Sequence, residues 1–262
     1  MEQKIQDYKL LADTAMLAGE IMLRSGAETH RVEDTVGRIL ELSGFQRCEV
    51  LVVTAGIVIT LSDWRMDNIT MMRRVVDKTT HLGNITEVNE ISRRLCNGEI
   101  GLKEAFHLLK HMETKHYRDV LVYACMIVSA ASFTILLGGS LQESIFAALN
   151  GIYLVLSLLF GKKYKVNVFV TNMVLSFLIA FTTKGFSVIP GVELVIERVV
   201  AGSVMTLLPG VAITNAIRDT LYADYMSGSA KVMEAFMIAA SVGVGIGAGL
   251  SVGAMMFGGG AV

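Results

Sequence analysis

The sequence predicts an α-helical integral membrane protein with about five transmembrane helices, preceded by a small α+β (ααβββαα) soluble domain. Three observations carry this. Residues 1–118 hold 16 of the 23 Lys+Arg and 17 of the 24 Asp+Glu, so charge density falls sharply over residues 119–262, as it does where the solvent changes from water to lipid. Residues 119–262 contain five apolar runs of the length a bilayer core about 30 Å thick demands. Residues 1–118 instead alternate helical and strand periodicities on the scale of one water-soluble domain.

Within that domain, Ile5, Tyr8, Leu11, Ala12, Ala15, Met16, Ala18, Ile21 and Met22 repeat at helical spacing across residues 4–24. Ser25-Gly26-Ala27-Glu28 has the spacing of a capping box and predicts the start of a second helix, running to about Leu42 and closed by Gly44. Glu49–Val53 and Ile57–Leu61, joined by Thr54-Ala55-Gly56, read as a hairpin, and Ile69–Val76 as a third strand. Leu82–Leu95 and Leu102–Met112 return to helical spacing. Cys48, Cys96 and Cys125 have neither a close pair nor metal-ligand spacing, which suits a reducing cytosol. The polar start, Met1 to Gln6, does not resemble a signal peptide, and a net charge of −1 leaves no footprint for nucleic acid.

The expected spans are residues 120–138, 144–160, 166–183, 192–216 and 231–257. Basic residues orient them. With the N-terminal domain inside, Lys110, Lys115, Arg118, Lys162, Lys163, Lys165, Arg218 and Lys231 flank the cytoplasmic side, Lys184 alone lies outside, and the C-terminus (Gly258–Val262) exits. The last span carries Gly245, Gly249 and Gly253, and also Gly243, Gly247 and Ser251, two small-residue stripes on nearly opposite faces. Such stripes let helices approach closely in lipid, so this span is expected between two neighbours.

Chemistry-bearing residues are sparse in the first domain. His107 and His111, with Glu104 a turn earlier, have metal-ligand spacing, but Leu102, Ala105, Phe106, Leu109 and Met112 form the buried stripe and leave the histidines outside it; neither metal nor cofactor is expected. Glu28, His30, Arg31, Glu33 and Asp34 crowd the start of the second helix, where acids complement the helix dipole. The chain lacks a nucleophile elbow, a phosphate-binding glycine loop, a zincin motif and a CxxC pair, so neither an enzyme nor an ATP-driven pump is indicated. Polar residues inside the apolar half are the stronger signal, since a charge in lipid is costly. Glu197 and Arg198 lie about a turn and a half inside the fourth segment. Arg198 could meet a substrate carboxylate with Glu197 as counter-ion or proton carrier; alternatively both snorkel at the interface. Thr206 and the break at Pro209-Gly210 complete a candidate substrate or coupling site, because freed carbonyls at broken helices often line transport paths. Asn150, Asn167, Thr171 and Asn172 line the same path or serve as interhelical glue.

Ser25-Gly26-Ala27-Glu28-Thr29, followed by Arg31-Val32-Glu33 on an ααβββαα domain, resembles the N-terminal domain of the threonine/serine exporter family. Pro209-Gly210, Asn215, Arg218-Asp219, Asp224, Ser227-Gly228 and Glu234 look like that family's segment between the fourth and fifth spans, with Ala223 departing where a glycine is expected. The resemblance covers nearly the whole chain and adds Asn215, Arg218 and Asp219 to the candidate site. It implies a secondary transporter of a small carboxylate, with Arg198 and Asp219 as the preferred charges for substrate or coupling. Stopping after one set of spans, the chain resembles the larger subunit of the family's split, two-component form, which implies a smaller all-membrane partner, an oligomer in the inner or plasma membrane, and export of threonine and serine or of a succinate-like dicarboxylate. A membrane-anchored enzyme and a regulatory or scaffold protein are the alternatives; several polar spans and a motif-rich loop exceed what an anchor needs.

Overall fold

The computed structural model describes residues 2–64, 66–76, 78–113, 117–164 and 167–258. Its elements run α1 (Glu2–Arg24), α2 (Thr29–Glu41), β1 (Arg47–Val53), β2 (Gly56–Asp63), β3 (Met66–Arg74), α3 (Leu82–Cys96), α4 (Leu102–Lys110), α5 (Asp119–Leu136), α6 (Leu141–Tyr164), α7 (Val168–Phe186), α8 (Ile196–Val204), a 3-10 turn (Met205–Leu207), α9 (Gly210–Leu221) and α10 (Tyr225–Phe257). They form two compact units, Met1–Lys115 with Val211–Val232, and His116–Gly210 with Met233–Val262.

In the first unit, the helical spacing of α1 places Leu11, Ala12, Ala15, Met16, Ala18 and Met22 in one core with Val32, Val36, Ile39 and Leu40 of α2. The antiparallel sheet, in order β1-β2-β3, adds Ile57, Ile59 and Leu61 from one face of β2. On the other face Thr60 bonds Thr70 at 3.1 Å and Ser62 donates to Asn68 at 2.7 Å, so the alternation fixes which side is wet. The hairpin turn is Thr54-Ala55 alone, because Gly56 already pairs with Val53 as the first residue of β2. Gly56 is small for another reason: a methyl there would strike the backbone of Arg73 on β3.

The expected capping box is a correction. Ser25 and Glu28 do not cap α2 reciprocally, for the backbone uses this stretch to end α1. Gly26 takes φ +82°, its N–H donates to the Leu23 carbonyl at 3.2 Å, and the Ala27 N–H donates to Met22 at 3.0 Å, a Schellman stop. α2 therefore begins only at Thr29, with Glu28 as its cap residue but without a side-chain cap bond. The capping box sits instead at Ser140-x-x-Glu143, where the Glu143 N–H donates to Ser140 Oγ at 3.2 Å and the Ser140 N–H donates to Glu143 Oε2 at 2.5 Å.

The second unit contains α5 to α8, the 3-10 turn and α10 from Met233 onward. Its core is narrow: Leu154, Ile179, Ala180, Val200, Val204 and Val242. Among the described residues, three helices are long and apolar enough to cross a membrane, α5, α7 and α10, and a fourth crossing results if the bent pair Ile196–Leu207 and Gly210–Leu221 is one broken span. Among the described residues the expected second span is represented by α6, of which Leu141–Ser157 is a shorter apolar stretch, so three to four of the five expected crossings are found there. Nor is 192–216 one continuous helix: α8 starts at Ile196 and the chain breaks at Leu208-Pro209. Lys115, Lys165, the expected start of the third span at Val166, and residues 259–262 lie outside the described residues.

The two glycine stripes of α10 differ. A methyl on Gly245 would collide with Ser176 and the Met173 carbonyl, one on Gly249 with the Phe177 carbonyl, and one on Gly253 with Lys184, so this stripe seats α10 against α7. Gly243 and Gly247 have nothing within 4 Å of such a methyl, so among the described residues no helix packs against them.

Candidate functional site

Two helix corners in the first unit end in the same way. As Gly26 stops α1, Ala223 stops α9: it adopts φ +66°, its N–H donates to the Thr220 carbonyl at 3.1 Å, and the Asp224 N–H donates to Asp219 at 2.9 Å. Alanine at this left-handed position carries the steric cost that glycine avoids. Asp224 then caps α10, its Oδ1 accepting the Ser227 N–H at 3.1 Å.

Between these corners lies a buried charge cluster. Asp219, 1% exposed, is near the C-terminal end of α9, where the helix dipole disfavours a carboxylate. Its carboxylate is instead held at the start of α2. Asp219 Oδ1 accepts the Thr29 N–H at 3.2 Å, and Oδ2 accepts the Thr29 hydroxyl at 3.1 Å and Lys231 Nζ at 2.5 Å. The cap missing from Glu28 thus comes from a residue 190 positions downstream. Two bonds extend the same join. Arg218 pairs with Glu28, and the Asn215 amide donates to the Gly26 carbonyl at 3.0 Å. His30 stacks on Tyr222 with ring centroids 4.3 Å apart.

Glu33, one turn beyond Thr29, faces the same cluster. Its Oε1 accepts the Val52 N–H at 3.0 Å, satisfying a donor on the edge strand β1. Burial raises its carboxyl above the ordinary value; the Val52 bond opposes that, and the charges of Asp224 and Asp219 add to it while His30 subtracts. Ser227 is fully buried, and its hydroxyl is the one buried side-chain polar atom without a partner among the described residues.

Of the sequence-predicted site residues, Asn215, Arg218 and Asp219 come together here. Glu197, Arg198, Thr206, Pro209, Gly210 and Asn172 belong to the second unit. Glu197 and Arg198 are exposed in the first turn of α8, not a turn and a half inside a helix, because α8 begins at Ile196. Arg198 is close enough for its charge to act on Glu143, a 2%-exposed carboxylate that also accepts the Val195 N–H at 2.6 Å. Thr206 is exposed in the 3-10 turn, and Asn172 is buried in α7, its carbonyl accepting the Ser176 hydroxyl at 2.7 Å. Asn150 does gather side chains: its amide donates to Thr183 at 2.8 Å and Ser203 at 3.4 Å, and its oxygen accepts from Thr182 at 3.0 Å. This network is satisfied within itself, which is the behaviour of interhelical glue. The His107 and His111 rings lie 4.1 Å apart, tilted by 30°, and no cluster of three metal-ligating side chains occurs among the described residues.

Sequence reasoning missed Lys231, Glu33 and Ser227 as members of the cluster. Lys231 was a flanking charge on composition alone, and only the packing of α10 beside α9 joins it to Asp219. The one available signal was the recurrence of Ser-Gly with acids in both motif segments, which is too weak to pair them.

A family model described as "Putative threonine/serine exporter" matches residues 13–253. The "Threonine/serine exporter" of Corynebacterium glutamicum is 20% identical over 256 residues, covering 94% of this chain and 52% of that protein. The "Probable threonine/serine exporter" of Mycobacterium tuberculosis (strain ATCC 25618 / H37Rv) is 24% identical over 251 residues, 91% of this chain and 45% of that one. The chain spans about half the length of these curated relatives. No solved structure matches.

Proposed function

The chain belongs to the threonine/serine exporter family, and from that membership we propose that it is one subunit of a secondary transporter moving small carboxylate metabolites out of the cell. Threonine and serine are the first substrates to test, and a succinate-like dicarboxylate the second. The observation that carries the reading is the Asp219–Lys231–Thr29 cluster: the two segments whose residues resemble the family's motifs meet in one buried, charged join. A buried ion pair is poor value for stability, since removing two charges from water costs several kcal/mol each. A pair buried at that cost fits a device that forms and breaks during a cycle.

In this reading residues 1–118 face the cytoplasm, the apolar helices lie in the inner or plasma membrane, and a smaller all-membrane subunit of the same family is the partner. Arg198, Glu197, Thr206, Asn172 and the Pro209-Gly210 break are assigned to the substrate path, and Asn215, Arg218 and Asp219 to coupling. The test is efflux of labelled threonine, serine and succinate from cells with and without the chain and its proposed partner. Faster loss of at least one solute is expected, and unchanged efflux of all three overturns the proposal.

A further inference from the structure

We propose that Glu143 is a positioning residue for the substrate path: through the Val195 peptide it fixes the first turn of α8, and with it the place from which Arg198 is presented. That role rests on the reading that assigns Arg198 to the path. Glu143 is 2% exposed, and its carboxylate is shared between two helix starts. Oε2 accepts the Ser140 N–H at the start of α6, at 2.5 Å, and Oε1 accepts the Val195 N–H at the start of α8, at 2.6 Å. Two acceptor oxygens with no donor between them are what an ionised carboxyl offers and a hydroxyl or an amide does not. The start of α8 has no such device of its own. Val195, its cap residue, carries no acceptor in its side chain, so nothing local sets where the helix begins. The Val195 carbonyl in turn accepts the Arg198 N–H at 3.1 Å and the Val199 N–H at 3.3 Å. The residue that Glu143 holds is therefore the one that closes the turn bearing Arg198.

From Val199 onward α8 is held by other means. Val199 and Val200 are buried, a methyl on Gly202 would strike Thr134 of α5, and the Ser203 hydroxyl accepts the Asn150 amide of α6 at 3.4 Å. Glu143 and Asn150 are seven residues apart, two turns along one face of α6. This face thus grips α8 at two levels, its start and its packed middle, and only the start depends on Glu143. Without that carboxylate, Val195 to Arg198 become an uncapped first turn that frays, and the guanidinium loses its fixed origin while the packed remainder stays. Capping α6 accounts for one oxygen of Glu143 through the box with Ser140. The other oxygen is directed at the turn that carries the charge.

The hold on α8 is measured without transport. On the purified full-length chain in nanodiscs, hydrogen exchange is compared across residues 195–199 and 200–207, since the Val195, Arg198 and Val199 amides are bonded through this corner. Glu143→Ala is expected to speed exchange over 195–199 at least several-fold and to leave 200–207 unchanged. Gln142→Ala, at an exposed neighbour, is expected to leave both stretches as in the wild type. Should Glu143→Ala not be recovered in folded form, Glu143→Gln, which retains one acceptor oxygen, is read the same way with a smaller increase expected. Equal exchange in the variant and the wild type overturns the proposal, as does loss of protection throughout α8 or a matching change with Gln142→Ala. Efflux, normalised to the amount of protein in the membrane, then tests what the hold is for. Glu143→Ala is expected to raise the concentration that half-saturates export at least several-fold with little change in the maximal rate, and to add nothing in an Arg198→Gln chain. The same factor in both backgrounds, or a fall in the maximal rate alone, overturns the positioning role. A wild type that exports none of the three solutes removes the export reading instead, and the exchange result still decides whether Glu143 holds the start of α8.

Discussion

At the residue scale, identical spellings lead to different structures. Ser25-x-x-Glu28 and Ser140-x-x-Glu143 share the spacing of a capping box, yet only the second forms one. The difference is Gly26, whose left-handed conformation ends the preceding helix and pushes the next start to Thr29. At the equivalent place after α9 the chain has Ala223 at φ +66°, so Ala223→Gly is expected to stabilise the protein by about 1 kcal/mol, read as a raised thermal midpoint in detergent. Asp219→Ala is expected to cost about 3–5 kcal/mol, because it strands Lys231, whose side chain is 12% exposed, and frees the Thr29 amide. The pair Asp219→Leu with Lys231→Met should recover much of that stability while abolishing efflux; recovered efflux would show that the charges serve stability alone. These residues were only half legible. Asp219 could be nominated from its motif, but Lys231 could not, since nothing in a linear pattern says which cation answers which acid.

At the element scale, the helices and strands of the first unit follow from periodicity to within a few residues, because each buries one face against a single core. Helices in the apolar half were harder to bound. Hydropathy located them, yet it could not distinguish the broken α8–α9 pair from one span or fix the face of α10 that is packed. Close approach decides the latter. Gly249→Leu is expected to cost about 1–3 kcal/mol by forcing α10 from α7, whereas Gly247→Leu, with open space at its Cβ, should leave the thermal midpoint of the isolated chain unchanged. If the second stripe meets the proposed partner, Gly247→Leu should instead lower the yield of the co-purified complex. Glu197 and Arg198 show why element bounds matter for function: with α8 starting at Ile196, both charges fall in its exposed first turn and not a turn and a half along a helix.

At the scale of the whole molecule, the sequence split into a charged part and an apolar part, and the contacts draw the line elsewhere. Residues 211–232 are compact with residues 1–115, although they lie within the stretch that hydropathy grouped with the spans. Composition sees only neighbours along the chain, and Asp219 acts on a helix start 190 residues earlier. Efflux separates the two candidate regions. Charge-neutral variants of Asp219 and Arg218 are expected to lower the maximal rate of export with little change in the concentration that half-saturates it. An Arg198→Gln variant is expected to raise that concentration if the guanidinium meets the substrate carboxylate.

The far-sequence cap on α2 also sets an order of events during synthesis. When the ribosome has made residues 1–115, the Thr29 amide has no acceptor from Asp219, and 95 further residues must be added before Val211 begins the missing piece. At about 5–20 residues per second, that interval is on the order of ten seconds. For that time the start of α2 lacks its far-sequence cap, and a chain truncated before Asp219 is expected to leave the Thr29 amide without that acceptor.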